Sequence, residues 1–213
     1  MKEIVIIGAG DFGKEVAWLI EDINRATPSY IVLGFLDDDK SKHGMNINGY
    51  EVLGDVLSLE MLNQNHHAVA VIAMQNSKAR QQIVEKFDGA FNSWETLIHP
   101  SVSISSTSAI GTGCIICSGT NVSVNSTIGD QCLLNISSTI ENDCIVGNYA
   151  SIMSGSIVGS HSKIGDYACL GSNCTILADT SIGENSVVYP GSVVTEDVGE
   201  ESAVLGVPAK KVI

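Results

Sequence analysis

The stretch Ser126-Thr127-Ile128-Gly129-Asp130-Gln131, Cys132-Leu133-Leu134-Asn135-Ile136-Ser137, Ser138-Thr139-Ile140-Glu141-Asn142-Asp143, Cys144-Ile145-Val146-Gly147 decides the fold. Written in sixes, each line starts with a small residue and carries Ile, Leu or Val third. Extended both ways, the third position reads Ile104, Ile110, Ile116, Val122, Ile128, Leu134, Ile140, Val146, Ile152, Val158, Ile164, Leu170, Ile176, Ile182, Val188 and Val194 without a slip. The small position, from Ser108 to Ser192, holds only Ser, Thr, Cys or Ala. A branched apolar residue and a small residue at fixed offset every six positions describe a hexapeptide β-helix. Each hexad is a short strand plus a turn, and three hexads close a coil. Residues 18 apart therefore stack on successive coils, roughly 4.8 Å apart.

The prism accounts for a composition that otherwise misleads. The chain has 213 residues, of which 16% are charged and 5% aromatic, and its mean hydropathy is +0.22. No Lys, Arg, Asp or Glu occurs between Thr96 and Gly129, yet more than half of that stretch is Ser, Thr, Asn or Gly. A bilayer span needs ~20 mostly apolar residues, so no membrane span is expected. The opening Met1-Lys2-Glu3-Ile4-Val5-Ile6-Ile7-Gly8 has too short an apolar run for a secretory signal. A soluble, cytoplasmic protein is the expectation. A net charge of −13 argues against nucleic acid, whose binding rests on Lys and Arg. Cys114, Cys132, Cys144 and Cys174 fall at the small inward position and read as small buried hydrophobes, with a reactive thiol as the alternative. Cys114-Ile-Ile-Cys117 is a C-x-x-C, but zinc needs a second pair or matching histidines. The prism holds only His99 and His161, which excludes a three-histidine zinc enzyme on this scaffold. No metal is expected.

Ahead of the repeat, residues 2–7 read as a buried strand, followed at once by Gly8-Ala9-Gly10-Asp11-Phe12-Gly13. Lys14–Asn24 reads as a helix with Val16, Leu19, Ile20 and Ile23 on one face, and Ile31–Leu36 as a second strand ending in Asp37-Asp38-Asp39. Strand, G-x-G-x-x-G, helix, strand and acid form a dinucleotide-binding fingerprint in its proper context. The glycines allow a diphosphate to approach the helix N-terminus, and the acid is placed to accept hydrogen bonds from a ribose or base. Alternatively, the turn only packs helix on strand. Fewer than a hundred residues precede the repeat, enough for one mononucleotide-sized half. Val69–Ala73 and Ser77–Phe87 read as a third strand and second helix. His66-His67 reads as a solvated loop pair, with a metal site as the alternative, and Trp18 and Trp94 read as packing residues. Ile98-His99-Pro100 marks a boundary. The organisation expected is an α/β Rossmann-like domain over residues 1–97 and a parallel β-helix over residues 98–213.

Ile7-Gly8-Ala9-Gly10-Asp11-Phe12-Gly13-Lys14-Glu15-Val16, Phe35-Leu36-Asp37-Asp38, Ile98-His99-Pro100, Leu134–Glu141 and Gly206-Val207-Pro208-Ala209-Lys210 together carry a resemblance covering both domains. The chain resembles the hexapeptide sugar acyltransferases that include UDP-4-amino-sugar N-acetyltransferases and sialic-acid O-acetyltransferases. The resemblance implies the left-handed coil, a homotrimer and acetyl-CoA lying along the prism between subunits. It also implies a nucleotide-linked amino sugar held by Gly8, Gly10, Phe12, Gly13, Asp37 and Asp38. Transfer needs a base for the nucleophile's proton, donors for the oxyanion and aligned substrates. In the family a histidine after the Ile-Glu step is the base, with an acid next. Here Glu141 is followed by Asn142 and Asp143. A second family histidine corresponds to Ser151, and a Gly-Asn near the thioester to Ser160-His161.

Asn142 does not titrate but can orient a nucleophile. A sugar amine needs less help from a base than a hydroxyl, so the departure favours N- over O-transfer. The alternatives are a chain whose chemistry is lost or altered, binding nucleotide sugar without turnover, and a sugar O-acetyltransferase. Asp143, His161 and Asp179 are 18 apart and should stack at one corner, as a solvated ladder or as a carboxylate-supported base. From His99 onward the only cations are Lys163, Lys210 and Lys211. Lys210 or Lys211 is placed to meet the CoA 3′-phosphate, or serves only to solubilise the tail.

Overall fold

The computed structural model describes residues 1–91 and 93–212, with the side chains of Asn65 and His66 left aside. The chain divides into two compact units, Met1–Pro100 and Ser101–Ile213.

The first unit is an α/β layer structure. Strand β1 (Lys2–Ile7) leads into helix α1 (Asp11–Ala26) and then β2 (Tyr30–Leu36). A hairpin of β3 (Asn46–Ile47) and β4 (Tyr50–Gly54), helix α2 (Ser58–His66), β5 (Val69–Ile72) and α3 (Ser77–Lys86) complete it. The sheet order is β3-β4-β2-β1-β5, parallel except for the β3–β4 hairpin. Ile4, Val5, Ile6 and Ile7 of the central strand are fully buried, as a strand covered on both faces requires. The chain runs from β1 to β2 on one side and reaches β5 on the other. The carboxyl end of β1 is therefore the switch point where open α/β sheets take ligands, and Gly8 sits there.

Several expectations need correction here. Helix α1 begins at Asp11, not Lys14, because the glycine turn runs straight into it. Trp18 is not a packing residue: it is 53% exposed, opposite the buried Val16, Leu19 and Ile20 stripe. Trp94 does pack, edge-on to Phe91 at 4.8 Å between ring centroids. The hairpin and α2 were not expected. His66 ends α2 instead of lying in a loop, with its side chain outside the described residues, and His67 caps that helix in a left-handed conformation.

The second unit is the parallel β-helix. Its two-residue strands form three faces, and strands up to Thr175–Ile176 pair with the one 18 residues on, as Asn121–Val122 with Thr139–Ile140 and Thr127–Ile128 with Ile145–Val146. The inward third residue is at most 2% exposed from Ile116 through Val194. The small position has a repeated task. Ser126 Oγ donates to the Glu141 carbonyl at 2.7 Å and accepts from Cys144 N–H at 3.1 Å. Ser156 and Ser162 make the corresponding pairs one to two coils on. Cys114, Cys132, Cys144 and Cys174 contact the carbonyl 15 residues on through Sγ, at 3.0–3.2 Å. All four are buried, and burial pushes the Cys144 and Cys174 thiols up. A neutral buried thiol is a poor nucleophile.

The corners carry left-handed residues, among them Asn125, Asp143, His161 and Asp179 with φ of 57–61°. Asn, Asp and His tolerate that region better than most side chains. The coil ends in an antiparallel hairpin of Ala203–Gly206 and Ala209–Lys211. Among the described residues no helix is long and apolar enough to cross a membrane.

Candidate active site

In the first unit the three motif glycines do three different things. Gly8 has φ +106°, and a Cβ there would lie 2.9 Å from the Ala73 carbonyl. A Cβ on Gly13 would lie 2.1 Å from the Gly8 carbonyl, so the helix can only approach the turn at a glycine. Gly10 meets nothing within 4 Å and caps α1 without a side-chain hydrogen bond. Open space over uncapped helix N–H groups suits a phosphate. Phe12 is buried beneath the turn. Asp11, in the first helical turn, is neutralised by Lys14 at 2.8 Å, which holds its carboxyl below the usual range.

Asp37 closes the turn. Its Oδ2 accepts Ala9 N–H at 2.9 Å and Lys42 Nζ at 2.8 Å, while Oδ1 accepts Asp39 N–H at 2.9 Å. Burial works to raise its pKa, but the Lys42 ammonium and the two backbone donors outweigh it and hold the carboxyl below the usual range. Asp37 thus acts as a buckle on the glycine turn before any ligand is considered. Asp38 is exposed, with Oδ1 accepting Val56 N–H at 3.0 Å. Lys42 was missed in the sequence because nothing in its neighbourhood marks it; only the 3-10 turn Lys40–Lys42 brings it back to Asp37.

In the prism one corner gathers Glu141, Asn142, Asp143, Ser160 and His161. Glu141 Oε2 accepts Ser160 N–H at 2.9 Å and faces Ser160 Oγ at 2.8 Å. Ser160 Oγ also lies 2.8 Å from Asn142 Oδ1. Asn142 Nδ2 donates to Asp143 Oδ2 at 2.8 Å, and Asn125 Nδ2 donates to Asp143 Oδ1 at 3.1 Å. These two amides, with a smaller contribution from His161, hold the Asp143 carboxyl below the usual range. His161 Nδ1 lies 3.9 Å from Asp143 Oδ2. The expected stacking follows from backbone bonds: Asp143 N–H reaches Val124 carbonyl, His161 N–H Asn142 carbonyl and Asp179 N–H Ser160 carbonyl, each at 2.9–3.0 Å. Asn125 belongs to the same ladder and could have been found by stepping back 18 from Asp143.

Ser151, Lys163, Lys210 and Lys211 are not among the residues bonded together in this corner. Ser151 is 1% exposed within the chain. Lys163 is exposed on the strand Lys163–Ile164. Lys210 and Lys211 lie on the C-terminal hairpin and line a cavity of about 190 Å³ with Glu196, Asp197, Ser202 and Val204. Ser160, expected to contact the co-substrate, is hydrogen-bonded into the Glu141–Asn142 pair.

Both units resemble known proteins. Residues 3–87 match the PglD N-terminal domain, and residues 161–196 match the bacterial transferase hexapeptide of six repeats. No curated protein sequence matches. Among solved structures, the acetyltransferase domain of PglB from Neisseria gonorrhoeae FA1090 is 26% identical, covering 100% of both chains with a TM-score of 0.90. PerB from Caulobacter crescentus, solved with CoA and GDP-perosamine, is 28% identical over 99% of this chain and 97% of its own, with a TM-score of 0.88. WeeI from Acinetobacter baumannii AYE is 26% identical over 100% of both chains, with a TM-score of 0.74. The PglB domain has also been solved with acetyl coenzyme A.

Proposed function

We propose that this chain, which belongs to the PglD-like family of sugar N-acetyltransferases with hexapeptide repeats, moves the acetyl group of acetyl-CoA onto the amine of a nucleotide-linked amino sugar. The observation that carries the reading is the pairing of an open, uncapped glycine turn at Gly10 with the polar corner Glu141–Asp143 on one chain. The likeness to PerB, solved with CoA and GDP-perosamine, supports both ligand classes. The nucleotide's diphosphate sits on the N–H groups after Gly10, with Asp38 turned to the ribose or base. Acetyl-CoA lies along the prism of a homotrimer, its 3′-phosphate near Lys210 or Lys211. Lys163 is a third candidate for its phosphates. We place the reaction in the cytoplasm, where acetyl-CoA is available.

Asn142 stands where the family resemblance puts a histidine. As an amide it holds position instead of taking a proton, and an unprotonated sugar amine tolerates that. A second reading, binding of the nucleotide sugar without turnover, is favoured by the same Asn142. A histidine-to-asparagine variant of the Caulobacter perosamine N-acetyltransferase was solved with CoA and GDP-perosamine bound. Thiol release from acetyl-CoA, measured against a panel of nucleotide-linked 4-amino sugars, separates the two. Release with at least one amine is expected. Nucleotide-sugar binding without release from any amine would leave the binding protein.

A further inference from the structure

We propose that His161, supported by Asp143, is the base that accepts the proton of the attacking amine; this rests on the transferase reading above. The argument is one of elimination and geometry. Asn142 is committed on both sides, with Oδ1 against Ser160 and Nδ2 donating to Asp143. Glu141 Oε2 accepts Ser160 N–H and competes with Asn142 Oδ1 for the single Ser160 hydroxyl proton, each oxygen lying 2.8 Å from Oγ. Asp143 receives one amide on each oxygen and is held ionised. His161 is left, its side chain 55% exposed.

Its Nδ1 faces Asp143 Oδ2 at 3.9 Å, which directs Nε2 away from the carboxylate. At 3.9 Å the two are paired by charge and not hydrogen-bonded; in the proposed step the exposed ring turns its Nδ1–H onto Asp143. That fixes the tautomer with the Nε2 lone pair free, the arrangement a general base needs. Of the charged groups, Asp143 on the preceding coil faces the ring; Asp179 takes the same corner on the next coil, Glu141 is bonded to the adjacent Ser160, and Lys163 lies two residues on. The carboxylates stabilise an imidazolium as it forms.

In the step, the sugar nitrogen bonds to the thioester carbonyl carbon and its proton passes to His161 Nε2. The tetrahedral intermediate collapses, the carbon–sulfur bond breaks, and the imidazolium returns the proton to the departing CoA thiolate. Amine and acetyl-CoA become amide and CoA thiol, and the imidazole ends neutral.

The test uses the full-length chain with an amino-sugar nucleotide that the wild type turns over. His161→Asn is chosen because Asn125 and Asn173 already occupy this corner conformation, so folding is preserved. The expected result is a kcat lower by about 100-fold or more, with KM for both substrates changed less than about threefold. His161→Gly, also compatible with positive φ, should regain rate on adding imidazole. An unchanged kcat in His161→Asn, or a larger loss in Glu141→Gln with His161 variants unaffected, overturns the assignment but leaves the transferase reading standing. A wild type that turns over no amino sugar overturns both.

Discussion

Ser126 offers the sharpest test of how the prism holds its candidate site. Its hydroxyl donates to the Glu141 carbonyl at 2.7 Å and accepts from Cys144 N–H at 3.1 Å, so it ties both ends of the corner that presents Asn142 and Asp143. The residue is 1% exposed. Ser126→Ala orphans a buried amide, at about 1–3 kcal/mol, and removes one further hydrogen bond worth about 1 kcal/mol. The space vacated by one oxygen is too small for a water. The expected loss is therefore about 2–4 kcal/mol. Ser126→Cys should lose less than about 1 kcal/mol, since Cys144 one coil on makes the same contact with Sγ 3.2 Å from the Gly159 carbonyl. The assay is urea unfolding followed by two probes. Both tryptophans, Trp18 and Trp94, lie in the first unit. Tryptophan fluorescence therefore reports that unit alone, while far-UV circular dichroism also follows the prism. The loss should appear in the dichroism transition and leave the fluorescence midpoint in place. A Ser126→Ala protein within about 0.5 kcal/mol of wild type, the scatter of ordinary surface changes, would refute the reasoning.

The glycine turn gives a paired prediction: Gly10→Ala should fold normally, because its Cβ enters open space, yet weaken nucleotide-sugar binding at least tenfold by calorimetry. Gly13→Ala, whose Cβ would meet the Gly8 carbonyl at 2.1 Å, should instead lower the fluorescence midpoint. Asp37 has a depressed native pKa. Its stabilisation is complete above its unfolded value of about 3.9 and is lost as pH falls through the native value. Asp37→Asn should thus cost stability at pH 7 and flatten the acid limb of the first unit's stability profile; an unaltered limb would deny it the buckle role. Replacing Lys210 and Lys211 together with Ala should raise KM for acetyl-CoA at low salt and leave KM for dephospho-acetyl-CoA unchanged. Equal shifts for both co-substrates would remove them from the 3′-phosphate.

The prism was legible because every hexad repeats one environment. The Ile, Val or Leu at position three faces inward each time, so sixteen weak local signals reinforce one another. The first unit offered single signals. β1 and the glycine turn were read because four buried aliphatics and a positive-φ glycine adjoin. The β3–β4 hairpin was not read, since Asn46–Ile47 is two residues long. Helix α2 is only weakly amphipathic, and nothing in Ser58–His66 repeats at helical spacing strongly enough to stand out from a loop. Trp18 was misplaced because aromatic bulk suggests burial, while the periodicity of α1 puts it opposite Val16 and Ile20. At the site, stacking by 18 residues brought Asp143 to His161 on paper. The locking of Asn142 by Ser160 was out of reach, because it depends on side-chain direction across coils.

The same left-handed corner that makes the site readable also limits what its residues prove. Positive φ is costly for most side chains and least so for Asn, Asp and His. Of the left-handed corners, Asn125, Asp143, His161, Asn173, Asp179 and Asn185 are drawn from that set, while Gln131, Ser137, Tyr149 and Tyr167 are not. Asp143 and His161 therefore satisfy a backbone demand whether or not they do chemistry, and their stacking alone does not distinguish a base from a ladder. Asn142 is different. It precedes the positive-φ residue and sits outside the buried hexad positions. Neither the coil nor the core dictates an amide there, so replacing it by histidine should leave the prism's stability within about 0.5 kcal/mol. If His161 already serves as base, Asn142→His adds little to kcat. If positioning alone drives the reaction, the new imidazole beside Asp143 should raise kcat by about 100-fold. The substitution gives up the Asn142 bonds to Ser160 and Asp143 but touches neither the buried hexad positions nor the left-handed corner, so the change in kcat bears on where the proton goes.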